Sequence, residues 1–154
     1  MSTLQDFQNF LAQVRKETGI DAITADKTGL VTISVDDHYN LSLQYIEATG
    51  KVLCFVEITQ LAKDAPKAVY RELLVGGLFG KATAGGFFTL EPETETVVYN
   101  YFFDLEKIAQ DVDDFVSTLE KILQLCDFWA EAIKGNFADE TTAEPAVNHT
   151  VFIP

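Results

Sequence analysis

The stretch from Val69 to Glu91 constrains the fold most strongly, because within it a helical pattern of apolar residues gives way to a strand pattern. In its first half, apolar residues recur at helical spacing at Val69, Leu73, Leu74 and Leu78. Gly76 and Gly77 interrupt this helix at a cost of roughly 1 kcal/mol each relative to alanine. Glycines at such positions indicate that another element, for instance a neighbouring helix, approaches the backbone closely.

The end of this stretch predicts the first of two consecutive strands. Gly80 supplies a helix stop, and the Gly85-Gly86 pair permits a tight turn. The chain then restarts as a strand with Phe87, Phe88 and Leu90. A second strand is predicted from Thr96 to Asp104, where the aromatic and β-branched residues suit a sheet interior.

Four elements are predicted before this stretch. The first is an amphipathic helix from about Thr3 to Thr18, with an apolar stripe made of Leu4, Phe7, Phe10, Leu11 and Val14. Two alternating strands follow, Leu30 to Val35 and Asn40 to Glu47, and then Lys51 to Thr59, which is apolar on both faces. These strands predict an antiparallel meander. The helical stripe faces either the core of the domain or a surface shared with a partner.

The longest predicted helix, about Asp111 to Lys134, comes last and begins at a capping Asp111. Its stripe is almost uninterrupted: Val112, Phe115, Val116, Leu119, Ile122, Leu123, Cys126, Trp129, Ala130 and Ile133. From residue 136 to residue 154 periodicity is lost, which predicts a flexible C-terminal tail. The apolar end of that tail, Val151 to Pro154, is unusual for a disordered segment.

These elements predict an α+β fold in a single domain, residues 1–135. Their order is helix, three strands, helix, two strands and helix. We expect the strands to form an antiparallel sheet with the first and last helices packed against it. A chain of 154 residues is long enough to bury a substantial core.

The net charge of −13 argues against nucleic acid and anionic membrane as partners, because both require cationic patches. It favours a basic or neutral polypeptide partner, or it serves only solubility. No apolar run is long enough for a membrane helix, and the N-terminus does not resemble a signal peptide, so the chain is expected to be cytoplasmic. Cys54 and Cys126 lie in apolar patterns, which favours buried free thiols over a disulfide.

Residues capable of chemistry are few. His38 and His149 have no companion at the spacing of a metal site or a catalytic triad. The glycines between Gly76 and Gly86 follow a helix and lack the Lys-Ser/Thr of a phosphate-binding loop. The acidic residues that begin at Asp111 lack the glycine and final glutamate of a calcium loop. We therefore expect no catalytic residues, no metal and no cofactor.

A family resemblance is carried by the pattern LLxxxLFGxATxGxxxxLxPE. In this chain the pattern reads Leu73-Leu74, Leu78-Phe79-Gly80, Ala82-Thr83, Gly85 and Leu90-Glu91-Pro92-Glu93. This pattern resembles the class I type III secretion chaperones, the Tir-chaperone-like family. The resemblance continues through the strand from Val97 to Phe103, the acidic amphipathic helix after it and Phe128-Trp129. The resemblance covers roughly Leu4 to Lys134. The C-terminal tail departs from it.

The resemblance implies a homodimer and an effector partner. Members of this family are joined largely through the middle helix and the adjoining strand, which implies a dimer interface at Val69, Leu73, Leu74, Gly77, Leu78, Phe87 and Leu90. They hold the N-terminal chaperone-binding segment of a secreted effector in an extended state. Apolar pockets and strand addition at a sheet edge would recognise that segment. The effector-binding residues are predicted to be Phe7, Phe10, Leu11, Val31, Ile33 and Val35.

Two other functions remain open at this point. The first is a small enzyme or small-ligand binder with an aromatic pocket formed by Phe88, Tyr99, Tyr101 and Trp129. The second is a dimeric adaptor with no role in secretion. An effector with a disordered N-terminus among the co-purifying proteins would support the chaperone, whereas a co-purifying metabolite would support the ligand binder.

Overall fold

The computed structural model describes residues 2–35 and 39–135. The predicted turn at residues 36–38, both histidines and the predicted tail at residues 136–154 lie outside them. The described helices are α1 (Leu4–Thr18), α2 (Lys67–Gly76), α3 (Leu105–Ile108) and α4 (Val112–Lys134). The described strands are β1 (Leu30–Val35), β2 (Tyr39–Ile46), β3 (Lys51–Gln60), β4 (Phe87–Glu91) and β5 (Thr96–Asp104).

The strands form one five-stranded sheet in the order β1-β2-β3-β5-β4. The predicted meander is confirmed, because β2 pairs antiparallel with both β1 and β3, with Leu43 opposite Val31 on one side and opposite Cys54 on the other. The last two strands also pair antiparallel, with Phe88 opposite Tyr99. The α+β fold class predicted from the sequence is therefore confirmed. The sheet ends at β1 on one side and at β4 on the other.

The described residues divide into two compact units, the first made of parts of Met1–Val56 and Tyr101–Lys121. In this unit α1 packs against the sheet: Phe7 stacks on Tyr45 with ring centroids 5.4 Å apart. Phe115 of α4 makes edge contacts with Phe10 and Phe103, each at 4.9 Å. These aromatic contacts join α1, α4 and β5 in one core, as the apolar stripes of the two helices predict.

The second unit comprises parts of Glu57–Asn100 and Ile122–Pro154. Its core centres on Trp129 of α4, which is fully buried and packs edge-on against Phe88 of β4, with ring centroids 4.8 Å apart. The other buried apolar residues include Leu61, Val69, Val97, Tyr99, Ile122, Leu125, Cys126 and Ile133. The core of this unit is therefore formed by residues of α2, β4 and the C-terminal half of α4, together with neighbouring strand residues.

Two local features differ from the sequence prediction. Helix α2 ends at Gly76 and is followed by a 3₁₀ turn, Leu78–Gly80, so the helix does not continue through Leu78. The turn departs from helical geometry because Phe79 has a positive φ of 56°. The short helix α3 was not predicted. Its N-cap is Asp104, whose carboxylate accepts a hydrogen bond from the Glu106 N–H at 3.1 Å.

Candidate protein-binding surfaces

The second unit carries an apolar groove of about 550 Å³, here called the α2–β4 groove. Its lining residues are Leu61, Tyr70, Leu73, Leu74, Gly77, Leu78, Phe79, Phe87, Phe88, Thr89, Leu90 and Val97. None of these residues carries a charge. Leu74 is 80% exposed and Leu78 is 60% exposed. Clusters of exposed apolar residues of this kind mark sites where another polypeptide binds.

Six of the seven predicted interface residues line this groove, so the structure brings them together. Leu73 is half-buried, whereas Leu74, Gly77, Leu78, Phe87 and Leu90 are exposed. Val69 is fully buried and belongs to the core beneath the helix. Whether these residues form a dimer interface stays a prediction. Six further lining residues were not predicted to lie at this surface: Leu61, Tyr70, Phe79, Phe88, Thr89 and Val97. Phe79 nevertheless stands beside Leu78 in the motif that carries the family resemblance.

The chain beneath the groove is held closely against Trp129. A Cβ atom at Gly76 would lie 2.4 Å from the Cη2 atom of Trp129, so only glycine fits between the helix and the indole ring. The indole N–H donates to the Ala82 carbonyl at 3.2 Å. The neighbouring Thr83 carbonyl accepts a hydrogen bond of 2.7 Å from the Tyr99 hydroxyl. The close approach predicted at Gly76 and Gly77 is therefore confirmed at Gly76, where the approaching element is α4. At Gly77 a Cβ atom would meet only the carbonyl oxygens of Leu73 and Leu74 in α2 itself.

The predicted effector-binding residues all lie in the first unit. Phe7, Phe10, Leu11 and Val31 are buried, and Ile33 and Val35 of β1 are half-buried. A smaller cavity of about 270 Å³ lies along α1. Phe10 lines it together with Ser2, Asp6, Asn9, Gln13, Leu105, Glu106 and Ala109. The effector-binding role of these residues stays a prediction.

The aromatic residues of the alternative ligand pocket serve as core in this structure. Tyr99 and Trp129 are fully buried, and their polar atoms bond to backbone carbonyls. Phe88 packs edge-on against both rings, with its ring centroid 6.0 Å from that of Tyr99 and 4.8 Å from that of Trp129. Tyr101 contacts Phe103 in the first unit, with ring centroids 4.8 Å apart. These contacts favour a packing role over a ligand-binding role.

The described residues also offer little reactive chemistry. In residues 2–35 and 39–135, His, Cys, Asp and Glu side chains form no group of three or more that could hold a metal ion. Cys54 and Cys126 are buried and form no disulfide in the described part of the chain, as predicted. Burial raises the pKa of the Cys54 thiol to about 12, which suppresses the reactive thiolate. Among the helices that the structure describes, none is long and apolar enough to cross a membrane.

An α+β protein that exposes an uncharged apolar groove of this size is suited to bind another polypeptide. The sequence assigns the family within this class. The chain belongs to the Tir chaperone protein (CesT) family, whose model matches residues 9–130. The predicted resemblance to type III secretion chaperones is thereby confirmed. No sequence among the curated proteins matches the chain.

Solved structures show the same fold at low sequence identity. A chain of the ExsC-ExsE complex is 15% identical, with a TM-score of 0.75 over 86% of this chain and 97% of that chain. A chain of the HopA1-SchA chaperone-effector complex is 18% identical, with a TM-score of 0.64 over 86% and 95%. The complex of the Yersinia pestis type III secretion chaperone SycH with a stable fragment of YscM2 contains a chain that is 15% identical, with a TM-score of 0.57 over 77% and 98%.

Proposed function

We propose that the protein is a cytosolic type III secretion chaperone that holds the N-terminal chaperone-binding segment of a secreted effector in an extended state. The observation that carries this proposal is the family match over residues 9–130. The role requires binding and release of a polypeptide, and it requires no catalytic step and no cofactor. The two buried cysteines, which form no disulfide among the described residues, are compatible with a reducing cytosol.

The edge of the sheet supports the extended conformation of the effector. Strand β1 lies at one end of the strand order, and β2 is its neighbour there. Edge strands present backbone N–H and C=O groups to which an extended peptide adds as a further strand. Ile33 and Val35, both half-buried, supply apolar surface beside such a strand. In this proposal Val31 contributes from beneath, since it is fully buried.

The cavity along α1 supports a second point of recognition. Its floor includes Phe10, whose side chain is buried, and Asp6 and Glu106 give its margin negative charge. A lysine or arginine of the effector would place its apolar stem on Phe10 and its cationic end beside these carboxylates. Phe7 and Leu11 support the floor from the core of the same unit. The net charge of −13 would accelerate encounter with such a basic segment.

Homodimer formation through the α2–β4 groove completes the proposal. Two copies that each carry a net charge of −13 repel each other, whereas the groove residues are uncharged. An interface there would bury the exposed Leu74, Leu78 and Leu90. The effector would then be bound by β1 and α1, and the dimer contact would be made by α2 and β4.

Charge reversal at the α1 cavity tests the effector-binding proposal. The affinity for the N-terminal segment of a secreted effector from the same organism would be measured by calorimetry for Glu106→Lys and for Glu17→Lys. Both variants change the net charge equally, but Glu17 does not line the cavity. We expect Glu106→Lys to weaken binding by about tenfold or more, because it places like charges together, and Glu17→Lys to change affinity much less.

Hydrogen exchange with and without the same segment tests strand addition. We expect new protection in β1 and along α1. Protection confined to the core around Trp129 would instead support a small-ligand binder, and equal affinities for the two charge variants would remove the α1 cavity from the proposed site.

A further inference from the structure

Phe79 combines two unusual properties. Its backbone lies in the left-handed region, with φ 56° and ψ 12°, a conformation that is strained for a bulky side chain. Its side chain is 85% exposed, more than any other large hydrophobic side chain among the described residues. Strained backbone persists only where the surrounding structure enforces it, and it is enriched at functional positions. An exposed phenylalanine in this state therefore suggests a binding role.

The loop that carries Phe79, residues 77–86, is held in place by backbone hydrogen bonds. The Gly80 N–H donates to the Gly77 carbonyl at 3.0 Å, and the Gly85 N–H donates to the Gly80 carbonyl at 2.8 Å. The buried Thr83 hydroxyl donates to the Gly86 carbonyl at 2.6 Å. These bonds fix the backbone on both sides of the exposed ring.

The inner side of the same loop is anchored in the core of its unit. Ala82 and Thr83 are buried, and their carbonyls accept the hydrogen bonds from Trp129 and Tyr99 described above. A Cβ atom at Gly86 would lie 2.3 Å from the Tyr99 hydroxyl oxygen, so the loop also packs tightly there. The backbone of the loop is thus fixed from within, while Phe79 is exposed. A loop whose backbone is already ordered loses less entropy when it binds.

Charge and symmetry favour a second copy of this chain as the partner of Phe79. The α2–β4 groove is uncharged, and Phe79 stands on its margin, so the projecting ring and an apolar recess lie on one surface. A two-fold interface requires this self-complementarity, because each copy must offer both the inserted group and the receiving site. Copies with a net charge of −13 avoid like-charge contact when they meet at an uncharged surface.

We propose that Phe79 is a pre-organised anchor residue of the homodimer, and that the ring from each copy inserts into the α2–β4 groove of the other copy. This inference rests on the homodimer described under the proposed function. It adds the residue on which dimer affinity depends most, and it explains why a strained conformation is maintained at an exposed position.

The test uses sedimentation equilibrium on the full chain from nanomolar to micromolar concentration. Phe79→Ala and Phe79→Gly both remove the ring, and Ile20→Ala removes an exposed apolar side chain that does not line the groove. We expect both Phe79 variants to raise the dimer dissociation constant by about 30-fold or more, as at an interface hot spot. Ile20→Ala should leave it unchanged.

Two further measurements test the backbone strain at Phe79 and the charge repulsion between the copies. At protein concentrations below the dimer dissociation constant, where the chain is monomeric, Phe79→Gly should resist denaturant better than Phe79→Ala, because glycine adopts a positive φ without strain. When the ionic strength rises from about 0.01 M to about 0.15 M, the wild-type dimer should tighten, since the repulsion between acidic copies is screened.

The outcomes distinguish this inference from the proposed function. A wild-type protein that stays monomeric at micromolar concentration overturns both the homodimer and the anchor. A dimeric wild type whose dissociation constant is unchanged in Phe79→Ala overturns the anchor alone. A loss of effector affinity in the Phe79 variants, with dimerisation unaffected, also overturns it, because Phe79 would then contact the effector. Equal denaturation of the glycine and alanine variants overturns the assignment of strain.

Discussion

Gly76→Ala should destabilise the protein, although alanine normally stabilises a helix relative to glycine. The added methyl group would lie 2.4 Å from Cη2 and 2.8 Å from Cζ2 of Trp129. Favourable carbon–carbon contacts begin at about 3.5 Å, so the ring or the helix must move by roughly 1 Å. Trp129 cannot move freely, because it is fully buried and its N–H is bonded to the Ala82 carbonyl.

The expected magnitude follows from two opposing effects. Overpacking a well-filled core costs about 1–3 kcal/mol. The gain in helix propensity is at most about 1 kcal/mol, and it is smaller here because Gly76 is the last residue of α2. We therefore expect a net loss of about 1–2 kcal/mol. For a chain of this size each kcal/mol lowers the melting temperature by roughly 2–4 °C.

Urea denaturation at a single protein concentration measures the effect, with Gly135→Ala as the matched control. The nearest atom to a Cβ at Gly135 lies 3.7 Å away, so alanine fits there without displacement. A double-mutant cycle with Trp129→Phe tests the cause, because phenylalanine lacks the two indole atoms that clash. In that background Gly76→Ala should be close to neutral, with a coupling energy of about 1–3 kcal/mol.

The prediction would be refuted by either of two results. Gly76→Ala could prove as stable as the wild type, in which case the close approach of α2 to Trp129 has no energetic weight. Alternatively, the loss could be the same in the Trp129→Phe background, which would assign the effect to the helix backbone rather than to the indole ring.

Three further predictions concern the thiols, a helix cap and an acidic turn. Cys54 and Cys126 should react slowly with thiol reagents in the native protein and rapidly in denaturant. Because the pKa of Cys54 is raised, its contribution to folding stability is complete below pH 9.0 and is lost by about pH 12. Rapid native labelling would contradict their burial. Thr3→Ala should lower the free energy of unfolding measured in urea by about 1 kcal/mol, because Thr3 caps α1 in a capping box with Asp6, whereas Thr3→Ser should retain the cap. Equal losses of stability in the two variants would exclude the hydroxyl as the cause. Hydrogen bonds from the Thr28 hydroxyl, and then from backbone N–H groups, hold the pKa of Asp26 below 3.8, so the contribution of Asp26 to folding stability is present above pH 3.8 and is lost as pH falls through the lowered pKa. The stability difference between wild type and Asp26→Asn should therefore shrink in acid. A difference that stays constant with pH would contradict this prediction.

The sequence by itself determined the five strands, the three longer helices and the family. Two predicted strands, Leu30–Val35 and Thr96–Asp104, have the same bounds in the structure. Alternation and helical periodicity arise from the local geometry of the backbone, so they are readable without knowledge of the partner surface. The spacing of glycines and apolar residues around α2 was sufficient to indicate the family, which the match over residues 9–130 confirms.

Only the tertiary structure decided which apolar residues are covered. The sequence places Val69 and Leu74 in one apolar group, yet Val69 is buried and Leu74 is 80% exposed. It likewise could not show that Phe7 and Val31 lie in the core, nor that Phe79 adopts a left-handed conformation. A periodic pattern reports which face of an element is apolar. What packs on that face, and how far it covers each side chain, depends on residues distant in sequence, here Trp129 beneath Gly76.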